Sequence, residues 1–346
     1  MKFKRRASKA LSVLYLALIH HTAAWHSQGH LVTAEIGRQY LKSTPRGQAA
    51  LIWANKILST ITKFCGENLY PFTESATYAD KLKEMGWKTM NEWHFKNTPV
   101  FIPSDFRPPV DPTPQDLNIV KAINTIKNHL SSAKVYADLK YGSAYQDVPK
   151  SMSLRFLIHF LGDIHQPLHV ATMYSKDFPT NDLGGNLFMI EFPAGTKRNL
   201  HFVWDELMGQ GKEVFSPLSL ADYGLVARTS EDLMREHPYE SLHEDLKKYS
   251  SVEAWSERSF LLAKDHVYQG IKQHEPLPSD YVKRSQEIIN KQLALGGYRL
   301  GDTIIEVYEQ YLRNKENHKK KSSEHEHDHC NCRETERKSN KTAKRL

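Results

Sequence analysis

Residues 151–169 read SMSLRFLIHFLGDIHQPLH. Apolar side chains recur there at spacings of three and four, from Leu154 through Leu157 and Ile158 to Leu161, the period of a helix packed on a core. On such a helix His159 and Asp163, four residues apart, share a face and can hold one metal ion between them. Pro167 kinks or ends the helix, so spacing alone leaves open where His169 points. His165 lies off the 159/163 face and reads as a bystander.

The same period runs through Leu31–Leu41, Gln48–Ile61, Leu117–Tyr136, Tyr281–Leu295 and Leu300–Leu312. Strand-like alternation is confined to Asn186–Phe192, with a second candidate near His201, and Pro-rich loops such as Pro103–Pro114 join the helices. No internal repeat is visible. After Arg313 the chain turns to Lys, Glu, His and Ser with almost no apolar residues, which predicts a disordered basic, His-rich tail over 314–346.

At the other end, Lys2, Lys4, Arg5 and Arg6 precede an apolar stretch, Ala10–Ile19, too short to span a bilayer, and Thr22-Ala23-Ala24 offers the small residues a signal peptidase reads. Residues 1–24 therefore read as a signal peptide and residues 25–313 as one mainly α domain. The alternative is an uncleaved anchor, against which stand the short apolar core and the pair His20 and His21. No later apolar run has membrane length. The mature chain is expected to be soluble, to enter the secretory pathway, and to end up extracellular or in a vacuole or lysosome-like compartment, without stable membrane association.

The net charge of +7 suits a polyanionic partner, but part of the excess sits in the leader and the tail, so charge alone is weak evidence for nucleic acid. Three cysteines, Cys65, Cys330 and Cys332, exclude a disulfide scaffold in a chain of 346 residues, so something else must rigidify it. The tract His325-Glu326-His327-Asp328-His329-Cys330-Asn331-Cys332 is either a flexible metal-binding segment or a solvated polar tail. The one N-glycosylation sequon is Asn340-Lys341-Thr342.

Three further segments carry chemistry. His201 and Asp205 repeat the four-residue spacing of His159 and Asp163, Asp80 and Lys83 pair a carboxylate with a cation three apart, and His94 sits between Trp93 and Phe95. Cleavage after Ala24 would add a fourth, because the α-amine and carbonyl of Trp25 can chelate a metal together with nearby His30. Any one His-x-x-x-Asp pair is also what an ordinary surface contact would give. Their number, with His and Asp ligands and no Cys, points to catalytic rather than structural zinc.

Taken in order, Trp25, His30, Asp80, His94, His159-x-x-x-Asp163, His169, Asp182-Leu183-Gly184-Gly185-Asn186 and His201-x-x-x-Asp205 resemble the zinc-dependent single-strand nucleases and 3′-nucleotidases. These are the class I nucleases of fungi, plants, bacteria and protozoa, distantly similar to zinc phospholipase C. The resemblance extends to Gly297-Tyr298-Arg299-Leu300, near the end of the domain. It implies a single zinc phospholipase C-like helical domain with a small β-hairpin, acting as a monomer on single-stranded DNA and RNA and on 3′-nucleotides, to give 5′-phosphonucleotides.

It also implies a trinuclear zinc cluster. One ion would be held by Asp80, His94, His159 and Asp163, a second by the α-amine and carbonyl of Trp25 with His30 and a bridging Asp163, and a third by His169, His201 and Asp205. All nine ligand residues are of the expected type. A water bridging two zinc ions loses its proton near neutral pH and would attack phosphorus in line. Lys83 is the candidate for neutralising charge on the phosphate, Asn186 for a hydrogen bond near the scissile group, and Phe95 for stacking an unpaired base.

One departure stands out. The family pattern has an acidic residue three after the histidine that corresponds to His94, and here that position is Asn97. An amide donates as well as accepts, so base preference is expected to be altered or broader. Two other readings keep the metal but change the function: a zinc phospholipase C-type phosphodiesterase, and a non-catalytic secreted zinc-binding protein.

Overall fold

The structure, a computed structural model, describes residue 25 and residues 27–132 and 147–342, with side chains at 318 and 320 but not at 319 or beyond 320. The leader over 1–24, the last turn of the helix expected over Leu117–Tyr136 and the side chains of the His-rich tract lie outside the described residues. The helices are α1 (Ser27–Lys42), α2 (Pro45–Leu58), α3 (Thr62–Cys65), α4 (Pro71–Glu74), α5 (Tyr78–Glu84), α6 (Ile119–Ser131), α7 (Val148–Asp163), α8 (Leu200–Asp205), α9 (Leu220–Glu236), α10 (His243–Lys248), α11 (Val252–Leu262) and α12 (Ser279–Thr342). Two small sheets complete a mainly α fold. Strands β1 (Thr98–Ile102) and β2 (Ala171–Ser175) pair in parallel, and β3 (Met189–Glu191) and β4 (Lys197–Asn199) form an antiparallel hairpin.

The quoted stretch is the central helix. From Leu154 to Asp163 every side chain of α7 is buried, as expected of a helix surrounded by others. Leu154, Leu157, Ile158 and Leu161 join α2 and α6 in one apolar region, while Trp25, just before α1, and Leu31, Val32 and Ile36 on it belong to a second with Val203, Trp204 and Tyr298. Arg155 crosses the first region fully buried. Its guanidinium is neutralised by Glu67, with Nε 2.6 Å from Oε1, and also donates to the Ser151 hydroxyl and the Leu58 carbonyl.

The helices expected over Tyr281–Leu295 and Leu300–Leu312 are one continuous helix. The glycines between them do not break it because they face α1 at close quarters: a Cβ on Gly296 would lie 3.2 Å from Thr33 Cγ2 and one on Gly297 2.4 Å from Ile36 Cγ2. Beyond Arg313 none of the described side chains of α12 is buried. The expected hairpin is present as β3–β4. The segment near His201 is a strand only as far as Asn199, whose side-chain oxygen then caps α8 by accepting the Phe202 amide at 2.6 Å. The parallel β1–β2 pair and helices α9 and α11 were not legible as elements. Each strand is five residues long, and only Val226, Ser230 and Leu233 of α9 are buried.

Candidate metal centre and cleft

Asp163 closes α7 and collects ligand-type atoms from across the chain. Its Oδ2 lies 3.0 Å from His94 Nδ1 and 3.2 Å from His159 Nε2, and its Oδ1 lies 3.3 Å from His30 Nε2. Asp80, on α5, completes the knot with Oδ1 3.8 Å from both His94 Nδ1 and His159 Nε2. A second cluster forms just beyond α7, which stops four residues short of Pro167. The 3₁₀ turn Pro167–His169 turns His169 toward α8, bringing its Nε2 to 3.2 Å from His201 Nε2, itself 3.2 Å from Asp205 Oδ2. By atom spacing the side chains form three groups that could hold a cation: His30 with Asp80 and His159, His94 with His159 and Asp163, and His169 with His201 and Asp205.

Backbone carbonyls orient these imidazoles. His159 Nδ1 donates to Ala76 O at 2.6 Å, His169 Nδ1 to His94 O at 2.7 Å and His201 Nδ1 to Gly184 O at 2.7 Å. With Nδ1 carrying the proton, the Nε2 atoms of neutral His169 and His201 point lone pairs at each other across 3.2 Å. That contact is repulsive unless a proton or a metal ion lies between them. In the first knot, neither nitrogen of His30 makes a hydrogen bond, nor does Asp80 Oδ1 or Asp163 Oδ1, although all are buried. Unsatisfied buried donors and acceptors of this kind fit metal ligation.

The charge state fits as well. Burial would depress His159, but Asp163 and Asp80 overcome it and raise its imidazole to about 9. Burial would raise Asp163, yet His159 and His169 hold its carboxyl well below the usual range. His30 is lowered by burial and by His159, whose ring stacks on it at 3.9 Å. His169 is pulled down to about 4 by burial. Burial likewise opposes a charged His201, but Asp205 raises it. The donor set is imidazoles and carboxylates with no thiolate, which suits zinc.

Trp25 is fully buried. Its indole N–H donates to the Gly162 carbonyl at 2.9 Å, pinning this residue beside Asp163. Gly162 must be glycine, since a Cβ there would lie 2.6 Å from His30 Nδ1. Gly184, with φ +63°, is equally constrained, since a Cβ would lie 2.7 Å from the Leu168 carbonyl. Its loop is tied down by buried Asp182, which accepts from the Met173 amide at 2.8 Å and the Thr172 hydroxyl at 3.1 Å. His165 is turned away, its Nδ1 on the Leu161 carbonyl and its Nε2 accepting from Arg299 at 2.8 Å.

His94, His169 and His201 open into a cleft of about 880 Å³. Lys83, Phe95, Asn97 and Asn186 all line it, so the four residues singled out for substrate lie around one space. Asn186 donates to the Leu183 carbonyl at 2.8 Å and leaves its buried Oδ1 without a partner. Sequence reasoning missed four contributors. Gln166 donates to Asp205 Oδ1 at 2.7 Å while its own oxygen caps the turn that carries His169. Lys197, Arg198 and Phe202 form another stretch of cleft wall. The available signal was that Phe202 follows His201 just as Phe95 follows His94.

The S1/P1 nuclease family model matches residues 25–309. The chain belongs to the S1/P1 nuclease family. Endonuclease 1 of Arabidopsis thaliana is 23% identical over 307 residues, covering 86% of this chain and 92% of that protein. Nuclease S1 of Aspergillus oryzae is 25% identical over 308 residues, with coverage of 84% and 94%. Nuclease P1 of Penicillium citrinum is 22% identical over 298 residues, with coverage of 82% and 98%. This S1/P1 family member is thus a nuclease by descent, and His94, His169 and His201 lie at the floor of its cleft. Among the described residues, no helix is long and apolar enough to cross a membrane.

Proposed function

We propose that the protein is a secreted, zinc-dependent endonuclease that hydrolyses single-stranded DNA and RNA to 5′-phosphonucleotides and also dephosphorylates 3′-nucleotides. The observation that carries this reading is the pair of imidazole nitrogens facing each other at 3.2 Å at the floor of a basic cleft. Three zinc ions would be held by Asp80, His94, His159 and Asp163, by the Trp25 backbone with His30 and Asp163, and by His169, His201 and Asp205, within a monomeric unit spanning 25–313. Bound zinc would supply an activated water near neutral pH and positive charge at the phosphate.

The chain's own residues do the rest. Carbonyls of Ala76, His94 and Gly184 keep His159, His169 and His201 in the tautomer that presents Nε2 to a metal. Lys83 neutralises charge growing on the phosphate, and Asn186, with an unpaired oxygen in a loop held by Asp182, orients the scissile group. Phe95 stacks an unpaired base. Such a base can leave its strand to reach a recessed site, whereas a paired one cannot, which is the basis of single-strand preference. Asn97 reads that base with an amide, so selectivity differs from that of a carboxylate. Cleavage rates on homopolymers that do not change in Asn97→Asp would overturn this last point.

A zinc phospholipase C-type activity is the second reading. A choline headgroup is a cation, yet among the described residues no Asp or Glu lines the cleft while the cations Lys83, Lys197 and Arg198 do. Hydrolysis of single-stranded but not double-stranded DNA, lost with chelator and restored by zinc, is expected. Activity on phosphatidylcholine alone, or metal binding with no turnover of either substrate, contradicts the proposal.

A further inference from the structure

Both aromatic residues that follow a ligand-type histidine face the same space. Phe95, after His94, and Phe202, after His201, line one cleft whose floor is formed by His94, His169 and His201. They come from different elements: Phe95 ends the 3₁₀ turn Lys88–His94, and Phe202 stands in the first turn of α8. Phe202 does not stand alone. The Arg198 guanidinium lies over its ring at 5.4 Å, and exposed Lys197 precedes it on β4.

The position of this pair is built rather than incidental. Asn199 caps α8 through the Phe202 amide itself, at 2.6 Å, and the Gly185 carbonyl accepts the His201 amide at 3.3 Å. The hairpin register, Met189 opposite Asn199 and Ile190 opposite Arg198, fixes where β4 presents its side chains. A flat apolar ring with a guanidinium above it and an ammonium beside it matches one nucleotide of a single strand, with a base for the ring and a phosphate for the cations.

We infer that Phe202, Arg198 and Lys197 form a second nucleotide subsite, which takes the neighbouring nucleotide of a single strand whose other base lies on Phe95. The inference rests on the proposed nuclease reading and deepens it. Phe95 alone would suffice for a 3′-mononucleotide, whereas the second wall serves a polymer. Preference for an oligonucleotide over a mononucleotide then resides in β4 and α8 and not in the His and Asp groups.

The test compares Arg198→Ala, Arg198→Lys and Phe202→Ala with the unaltered zinc-loaded enzyme on a 3′-nucleoside monophosphate and on a single-stranded oligothymidylate. The ratio of kcat/KM for the oligonucleotide to that for the mononucleotide should fall about tenfold in Phe202→Ala, the order expected for losing one stacked base. It should also fall in Arg198→Ala, with partial rescue in Arg198→Lys. Binding of a phosphorothioate oligothymidylate, followed by fluorescence anisotropy against salt, should lose about 0.7 from its log–log slope in Arg198→Ala, one phosphate contact on a single strand. Arg198 is exposed, so its variants keep the test independent of any folding defect in Phe202→Ala. An unchanged ratio and slope in Arg198→Ala, or equal loss on both substrates, overturns the subsite but leaves the nuclease reading intact. Unaltered enzyme that cleaves neither substrate overturns both.

Discussion

Gly162 shows how much a single residue determines in this centre. It lies between Trp25, whose indole donates to its carbonyl, and His30, whose Nδ1 leaves no room for a Cβ. Gly162→Ala should displace His30 and lower the metal content of the purified protein by about one ion per chain, with activity falling in parallel; metal analysis by mass spectrometry decides it. Gln166 acts one step further out. Its amide occupies Asp205 Oδ1, leaving Oδ2 as the oxygen 3.2 Å from His201 Nε2. Gln166→Leu leaves that carboxylate and the Leu168 amide unpaired, so affinity for the ion at His169, His201 and Asp205 should drop roughly 10–100-fold. Chelator titration of metal content would show it, and unchanged titration would assign Gln166 to packing alone. The histidines that meet at the candidate centre were legible because their chemistry is carried by residue type and spacing. Gln166 and the Ala76, His94 and Gly184 carbonyls were not, since backbone groups and amides carry no pattern until the fold brings them together.

At the scale of elements, α1 and α12 meet through glycine. Gly297→Ala gains roughly 1 kcal/mol of helix propensity but drives a methyl to 2.9 Å from the Thr33 carbonyl and 2.4 Å from Ile36 Cγ2. Backbone cannot yield as a side-chain end does, and overpacking of this kind costs about 1–3 kcal/mol. The melting temperature should therefore fall, and because α1 carries His30, metal content should fall with it. A second tie to α1 is the buried cluster of Glu35, which accepts from Arg38 at 2.6 and 2.8 Å, from Thr73 at 2.7 Å and from Tyr223 on α9 at 3.1 Å. Burial would raise Glu35, but Arg38 and Thr73 hold its carboxyl below the ordinary range. A depressed folded-state value means that the stabilisation is complete above the usual carboxylate range and is lost as pH falls through it. Melting curves between neutral and acid pH should show a steeper loss for the unaltered protein than for Glu35→Gln. Apolar periodicity revealed α1, α2, α6 and α7, but it also split α12 at glycines that turn out to be contact residues. A glycine reads alike whether it breaks a helix or lets another helix approach.

For the whole molecule, the central helix, the two apolar regions and the basic cleft converge on the end of α7, where Asp163 touches His30, His94 and His159. Family membership and the mainly α fold were both within reach of the sequence, because ligand types at characteristic spacings run along nearly all of the domain. The second cleft wall was not, since Lys197 and Arg198 look like solvated charges until the hairpin places them beside Phe202. The Trp25 indole is an anchor rather than a ligand type, so Trp25→Ala should retain more zinc than a mature chain carrying one extra residue before Trp25, which blocks the α-amine. The most direct test of the central claim is zinc content per chain of protein prepared to begin at Trp25, measured alongside its cleavage of single-stranded DNA. About three zinc ions, with activity lost on chelation and regained with zinc, is the predicted result. Fewer than two ions, or full activity in the metal-free protein, would contradict it.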